Sequence, residues 1–429
     1  MTIPEQLQID AVRLEEELKE LSLFTSADPA AEGTAVTRIV FSKDDLLARA
    51  WLKTLAARER FQVCEDAVGN TFLRWEGLEP ELPAVATGSH MDAIPHAGMY
   101  DGTVGVLGGL EAMRALKRSG KRFRRGIELL LFTSEEPTRF GIGCLGSRLL
   151  AGTLDTESAD ALRDILEDES TGTLASVRVA AGFTGELETV RLQHGHYHAW
   201  IELHIEQGPL LEREGARIGI VTNIAAPAGY RILIEGLGGH AGALLMPDRR
   251  DALCAAAEVI LSIERYALAA NTASGSTDTV ATVGTCGVFP GAVNSVPSRV
   301  QLQVDIRDTN PARREMVMQA VRHDCTEIAT RRGVTITEEL VNADEPAPSS
   351  AHIVQVLEEI CAELGIAPKK MVSRAYHDSL FMARVAPIAM VFVPCRNGVS
   401  HRPDEYAAID DIALGARVLA LAMARLASE

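Results

Sequence analysis

Apolar and polar positions change rhythm twice along the chain. Residues 8–21 alternate charge with Leu and Val at helical spacing, and residues 43–60 do the same, so each predicts an amphipathic helix. Short apolar runs then follow at 83–88, 127–133, 199–205 and 387–393, each bounded by turn residues. Four to eight apolar residues rich in Val, Ile and Leu suit a strand covered on both faces. Helical stretches such as 104–119 lie between them. This alternation predicts an α/β layer of mainly parallel strands.

After Gly219 the rhythm shortens. Strands are expected at 220–224 and 230–235, a helix at 248–267, strands at 279–288 and 299–307, a helix at 311–331 and a strand at 334–340. The order β-α-β-β-α-β is that of a ferredoxin-like α+β unit of about a hundred residues. Residues 343–350, rich in Pro, Ala and Ser, read as a linker. Helices at 351–364 and 408–427 flank the strand around Val391 and return the chain to the first layer. The expected plan is a larger α/β domain, 1–221 and 339–429, interrupted by a smaller one at 222–338. A chain of 429 residues is long enough for two such cores.

Composition narrows the partners. Hydrophobic residues make up 47% and charged residues 24%, as in an ordinary globular protein. A net charge of −17 and only 5% aromatics argue against nucleic acid and anionic membranes as partners. An anionic substrate would need a local cationic pocket. The seven cysteines form no C-x-x-C pair, which fits free thiols in a reducing compartment. The start, Met1-Thr2-Ile3-Pro4-Glu5, has neither a basic nor an apolar leader segment, and no apolar run approaches ~18 residues. A cytoplasmic location is the expectation.

The chemistry gathers where the strands end. His90-Met91-Asp92 closes the first run, and Asp101-Gly102 follows just before a helix. Glu135-Glu136 follow the second run, His204 ends the third, and His401 comes soon after the fourth. Ligands collect at such strand ends in open α/β sheets. Singly, Asp101 could be a helix cap, each histidine a satisfied loop residue, and the glutamates an exposed acidic turn. Together they offer histidines and carboxylates enough for two divalent metals, whose shared water becomes acidic enough to serve a hydrolase. Asp92 is placed to hydrogen-bond the far nitrogen of His90.

These residues sit in motifs that resemble the M20-type binuclear metallohydrolases over residues 10–427. The motifs are Gly88-Ser89-His90-Met91-Asp92, Tyr100-Asp101-Gly102, Thr133-Ser134-Glu135-Glu136, His204-Ile205-Glu206-Gln207-Gly208, Gly238-Gly239-His240-Ala241-Gly242 and Ser400-His401. Histidine at position 204, where the peptidase branches have aspartate, points to the amidase branch of N-carbamoyl-amino-acid, allantoate and ureidoglycolate amidohydrolases. The resemblance implies that His90 and His204 bind one metal, Glu136 and His401 the other, and that Asp101 bridges them. Glu135 becomes the general base. His240, on a dimerisation or lid domain, would reach a homodimer partner's site and steady the oxyanion. Gln207 and Asn294 would hydrogen-bond the substrate, and Arg307 would pair with its carboxylate.

Three stretches are most like the ureidoglycolate amidohydrolases: residues 135–141, 242–247 and 375–384. In the last, Tyr376 stands before His377-Asp378, where sister branches usually have glycine. With His377 it is assigned to the substrate. A smaller pocket there would favour (S)-ureidoglycolate over the larger allantoate, although Tyr376 could equally be core packing. The resemblance thus implies a purine-catabolic enzyme releasing glyoxylate, ammonia and carbon dioxide. It favours Mn²⁺, with Zn²⁺, Co²⁺ or Ni²⁺ also suited to the ligands. The alternatives are an allantoate amidohydrolase, an N-carbamoyl-L-amino-acid hydrolase or, more remotely, a non-catalytic binding protein of the same fold.

Overall fold

A computed structural model describes residues 7–166 and 172–429. The acidic start of the chain therefore lies outside the described residues. The chain forms two compact units: one comprises residues up to Thr222, Pro348–Met371 and His377–Glu429, the other Asn223–Ala347 and Val372–Tyr376.

Four parallel strands make the centre of the larger unit's sheet: Ile388–Val393, Tyr197–Ile205, Ala84–His90 and Ile127–Phe132, in that spatial order. They correspond to the four apolar runs, and antiparallel strands extend the sheet on either side. Strand Gln62–Glu65, at one edge, escaped the sequence reading because all four of its residues are exposed and two are polar or acidic, leaving no apolar run. The parallel arrangement brings all four carboxyl ends, and the segments that leave them, to one rim.

Strand Tyr197–Ile205 shows how the fold separates core from chemistry. Ala199, Ile201, Leu203 and Ile205 join the main apolar cluster with Leu107, Val391 and Leu419. Their alternate neighbours Trp200, Glu202 and His204 point to the opposite face, as the two-residue period of a strand requires. Helices Thr103–Arg118 and Ile409–Leu426 pack on the apolar face, and small residues let them come close. A Cβ at Gly105 would lie 2.5 Å from the Leu203 carbonyl oxygen. Burying a side chain such as Leu203 contributes about 1.5–3 kcal/mol.

The smaller unit is a four-stranded antiparallel sheet, ordered Val280–Phe289, Arg299–Asp308, Ala226–Glu235 and Thr335–Ala343. Helices Ala252–Ser274 and Pro311–Arg332 contribute Val259, Ile263, Val317 and Val321 to a core shared with Ile232, Leu302 and Ile306. In chain order this is β-α-β-β-α-β. Both helices are capped as their sequences allow: the Asp251 side chain accepts from Leu253 and Cys254, and Asn310 from Ala312 and Arg313. The last strand runs further than its apolar pattern foretells. Ala343 pairs with Ala228, and the Asp344 amide donates to the Pro227 carbonyl. Residues 339–347, expected in the larger domain, thus belong to the smaller unit, and so does Tyr376.

Candidate active site

Asp101 is the hub of the rim. Its Oδ1 lies 3.2 Å from His204 Nε2 and 3.7 Å from His90 Nε2, and its Oδ2 lies 3.1 Å from His401 Nε2. His401 Nε2 is also 3.2 Å from Glu136 Oε1. Two triads result, His90–Asp101–His204 and Asp101–Glu136–His401, each with ligand atoms within 4.8 Å of one another. They share Asp101. A further group of acid and imidazole, Glu202–His204–His377, is also close. There, however, the Glu202 oxygens are already taken by Ser89 Oγ at 2.8 Å and Ser379 Oγ at 2.5 Å.

Local backbone makes this convergence possible. Gly102 has φ +67°, and a Cβ there would lie 2.4 Å from His90 Nε2. Only glycine lets the Asp101 loop approach the imidazole so closely. Ser134, Gln207 and His401 are non-glycine residues with positive φ, each in or next to a site segment. Such conformations are held against a local cost of about 1–3 kcal/mol and gather at functional sites.

The charges respond to this crowding. Burial opposes ionisation of Asp101, but hydrogen bonds with His204, His401 and His90 outweigh it and hold the carboxyl well below its usual range. Hydrogen bonds to Asp101 and Glu136 push His401 up to about 11. Glu135 behaves oppositely. It belongs to neither triad, its Oε2 is 3.8 Å from His90 Nε2, and Cys144 Sγ donates to its Oε1 at 3.4 Å. Burial, with Glu136 alongside, lifts its carboxyl well above the usual range despite the pull of His90.

Asp92 departs from expectation. The Nδ1 of His90 is 3.0 Å from the Asp92 backbone carbonyl, while the Asp92 carboxylate stands 3.7 Å away. That carboxylate instead accepts the amides of Glu135 at 3.3 Å and Glu136 at 3.0 Å. It ties the second strand end to the first, and burial pushes it up to about 6. Gln207 donates to Asp101 Oδ2 at 2.7 Å, leaving its own buried Oε1 with no hydrogen-bond partner. His377 is buried and packs edge-on against His204, with ring centroids 4.7 Å apart.

The remaining candidates lie in the smaller unit. His240 is exposed, accepts the Gly242 amide at its Nδ1, and pairs across a short ladder with Ser295. The Ala241 amide donates to the Asn294 carbonyl, so His240 and Asn294 are neighbours. Arg307 makes two 2.9 Å bonds to Asp305 and a third to the Arg374 carbonyl. The Tyr376 hydroxyl donates to the Asp344 carboxylate.

Sequence reasoning gave no role to several residues around the rim: Cys144 against Glu135, Glu202 and Asp378 beneath His377, and Glu405. Asp378 is fully buried, bonded to Ser147 Oγ and pushed up to about 8, chiefly by burial. None of these forms a periodic or spaced pattern. The one legible signal is that Glu405 follows His401 by four residues.

The donor set fits divalent metal ions. Imidazole nitrogens and carboxylate oxygens are grouped in two triads about one shared acid, with no thiolate among them. A cradle that only glycine permits and a buried amide oxygen without a partner point the same way.

Comparison with known proteins accords with this geometry. Residues 86–425 match the model of peptidase family M20/M25/M40. The chain is 48% identical to a ureidoglycolate hydrolase of Arabidopsis thaliana, over 99% of this chain and 88% of that protein. It is 37% identical to an N-carbamoyl-L-amino-acid amidohydrolase of Paenarthrobacter aurescens, over 97% and 98%. Crystal structures of AtUAH with (S)-hydroxyglycine and with glyoxylate superpose with a TM-score of 0.87 at 48% identity, covering 98% of both chains. The chain is a member of peptidase family M20/M25/M40, a family of metal-dependent hydrolases.

Proposed function

We propose that this protein is a Mn²⁺-dependent amidohydrolase that cleaves the ureido C–N bond of (S)-ureidoglycolate. The observation that carries the reading is near full-length identity of 48% to a ureidoglycolate hydrolase, in a chain that keeps both triads and a separate Glu135. In this reading His90 and His204 would hold one metal and Glu136 and His401 the other, with Asp101 shared between the two sites. When bound, the metals supply Lewis acidity at the carbonyl and lower the pKa of water.

The chain's own residues do the rest. Glu135 stands outside both triads and is free to take a proton from water and return it to the leaving nitrogen. Asp92, through the amides of Glu135 and Glu136, fixes the base beside its neighbouring ligand. The unpartnered Oε1 of Gln207 accepts a ureido N–H. Arg307 exchanges its two bonds to Asp305 for two to the substrate carboxylate. Asn294 and His377 fix the substrate, and His240, from a second copy in a homodimer, donates to the oxyanion. Tyr376, tethered to Asp344, is assigned to discrimination by substrate size.

The bond balance is simple. Water adds to the ureido carbonyl and the C–N bond breaks. Carbamate then gives ammonia and carbon dioxide, while hydroxyglycine loses a second ammonia to give glyoxylate. The ligands of the two AtUAH structures, (S)-hydroxyglycine and glyoxylate, are the successive products of this route. A cytoplasmic location fits the free thiols, and no described helix is long and apolar enough to cross a membrane.

A substrate panel tests the reading. Metal-stripped enzyme supplied with Mn²⁺ should release glyoxylate and ammonia from (S)-ureidoglycolate faster than it releases ammonia from allantoate or N-carbamoyl-L-amino acids. Faster turnover of either rival substrate would reassign it.

A further inference from the structure

Glu405 has no role in the reaction described above, yet its surroundings are unusual for a structural acid. It is 3% exposed, and four donors fill its carboxylate. Oε1 accepts the amides of Tyr100 at 2.8 Å and Asp101 at 3.1 Å. Oε2 accepts the Ser400 hydroxyl at 2.7 Å and the His401 amide at 3.3 Å. The donors come in two pairs. One pair belongs to the segment that presents Asp101, the other to the segment that presents His401.

Those segments are about three hundred residues apart in sequence, and Glu405 is the side chain that joins their backbones. Glu206, another buried acid near the rim, shows the contrast. It accepts the Leu210 and Leu211 amides and so only caps the short helix that follows it. Glu405 caps no helix. Ser400 Oγ also lies 3.0 Å from Asp101 Oδ2, so one hydroxyl sits between the clamp and the bridging acid. Space for the clamp is reserved by Gly98, where a Cβ would lie 2.4 Å from Glu405 Cβ and 2.5 Å from Oε1.

We propose that Glu405 is a positioning residue for the metal centre, a carboxylate clamp that fixes His401 relative to Asp101 and thereby sets the affinity of the Asp101–Glu136–His401 site. The inference rests on the two-metal reading given above. Three of the four contacts are backbone amides, which can only donate, so an amide in place of the carboxylate would turn its NH₂ against at least one of them. His401 needs the clamp most. Its side chain is 46% exposed, it adopts φ +60°, and its amide is held by Glu405. His90 and His204 are fixed instead by carbonyl contacts at their Nδ1 atoms, from Asp92 and Ile205.

The test is a titration of metal-stripped, full-length protein with Mn²⁺ alone, with free Mn²⁺ read by electron paramagnetic resonance. Wild type should take up two ions. Glu405→Gln should weaken one site about 10–100-fold, the usual effect of removing a group that orients a ligand, while leaving the other within a few-fold. Glu405→Asp, which keeps the charge, should recover part of that loss. Ser400→Ala removes a single hydroxyl and is the variant least able to disturb folding. It should weaken the same site about fivefold, and it decides the matter if Glu405→Gln does not fold.

Two ions bound with wild-type affinity by Glu405→Gln, or by Ser400→Ala where only that variant folds, would overturn the clamp and leave the metal reading standing. Equal weakening of both sites would show a general structural role and also overturn it. Failure of wild type to bind a second ion would instead overturn the two-metal reading, and the inference with it.

Discussion

The rim of the larger unit and the candidate substrate residues of the smaller unit hold their polar groups in opposite ways. At the rim, His90, His204 and His401 all lie within 3.7 Å of the one carboxylate of Asp101, and their charges depend on one another. In the smaller unit each group is satisfied by a close neighbour: Arg307 by Asp305, Tyr376 by Asp344, the His240 ring by the Gly242 amide. The first arrangement is a candidate ligand set around a carboxyl held well below its usual range by three imidazoles. The second is a set of polar groups each held in shape by a local partner. We accordingly assign the chemistry to one unit and discrimination among substrates to the other.

Substitutions can break or sharpen this division. The largest effect should follow Asp101→Asn, which removes the charge shared by both triads. Metal analysis should find both ions lost and turnover at background, and retention of both ions would dissolve the hub. Next, His240→Ala should leave metal content unchanged and lower kcat about 10²–10³-fold, as loss of an oxyanion donor does. A drop in bound metal would place His240 with the rim instead.

Arg307→Lys keeps the charge but loses the fork. Steady-state kinetics should show KM raised about tenfold or more with kcat much less affected, because ground-state and transition-state binding weaken together. The smallest effect belongs to Tyr376→Gly, which opens space and frees Asp344. Turnover of allantoate relative to ureidoglycolate should rise. An unchanged preference would reduce Tyr376 to packing.

How much of this could be read from the chain follows the same division. The four parallel strands were legible because both faces are covered and their runs are largely apolar. The site was legible because those strands end in residues a core cannot use, such as His90, Glu135 and Glu136. The contacts among them were less so. Asp92 was expected to orient His90 through its carboxylate, but its backbone carbonyl does that, and the carboxylate binds the next strand end. Spacing along a chain says which residues are near, not which atom of each is used. The extension of the small unit to Ala347 was hidden because residues 341–343 are exposed, so pairing with Ala226–Glu235, rather than burial, defines that strand. Glu405 was nearly silent for a related reason: two of its partners lie about three hundred residues away, and all four contacts run through backbone amides or a hydroxyl, which carry no sequence pattern.

In the proposed reading the rim separates metal ligands from the proton carrier, with Glu135 alone on the second side. Metal content and turnover of Glu135→Ala, measured on the same preparation, test it most directly. Glu135→Ala should keep wild-type metal content while its turnover of (S)-ureidoglycolate falls about 10²–10⁴-fold. Loss of metal together with turnover would make Glu135 a ligand and contradict the separation.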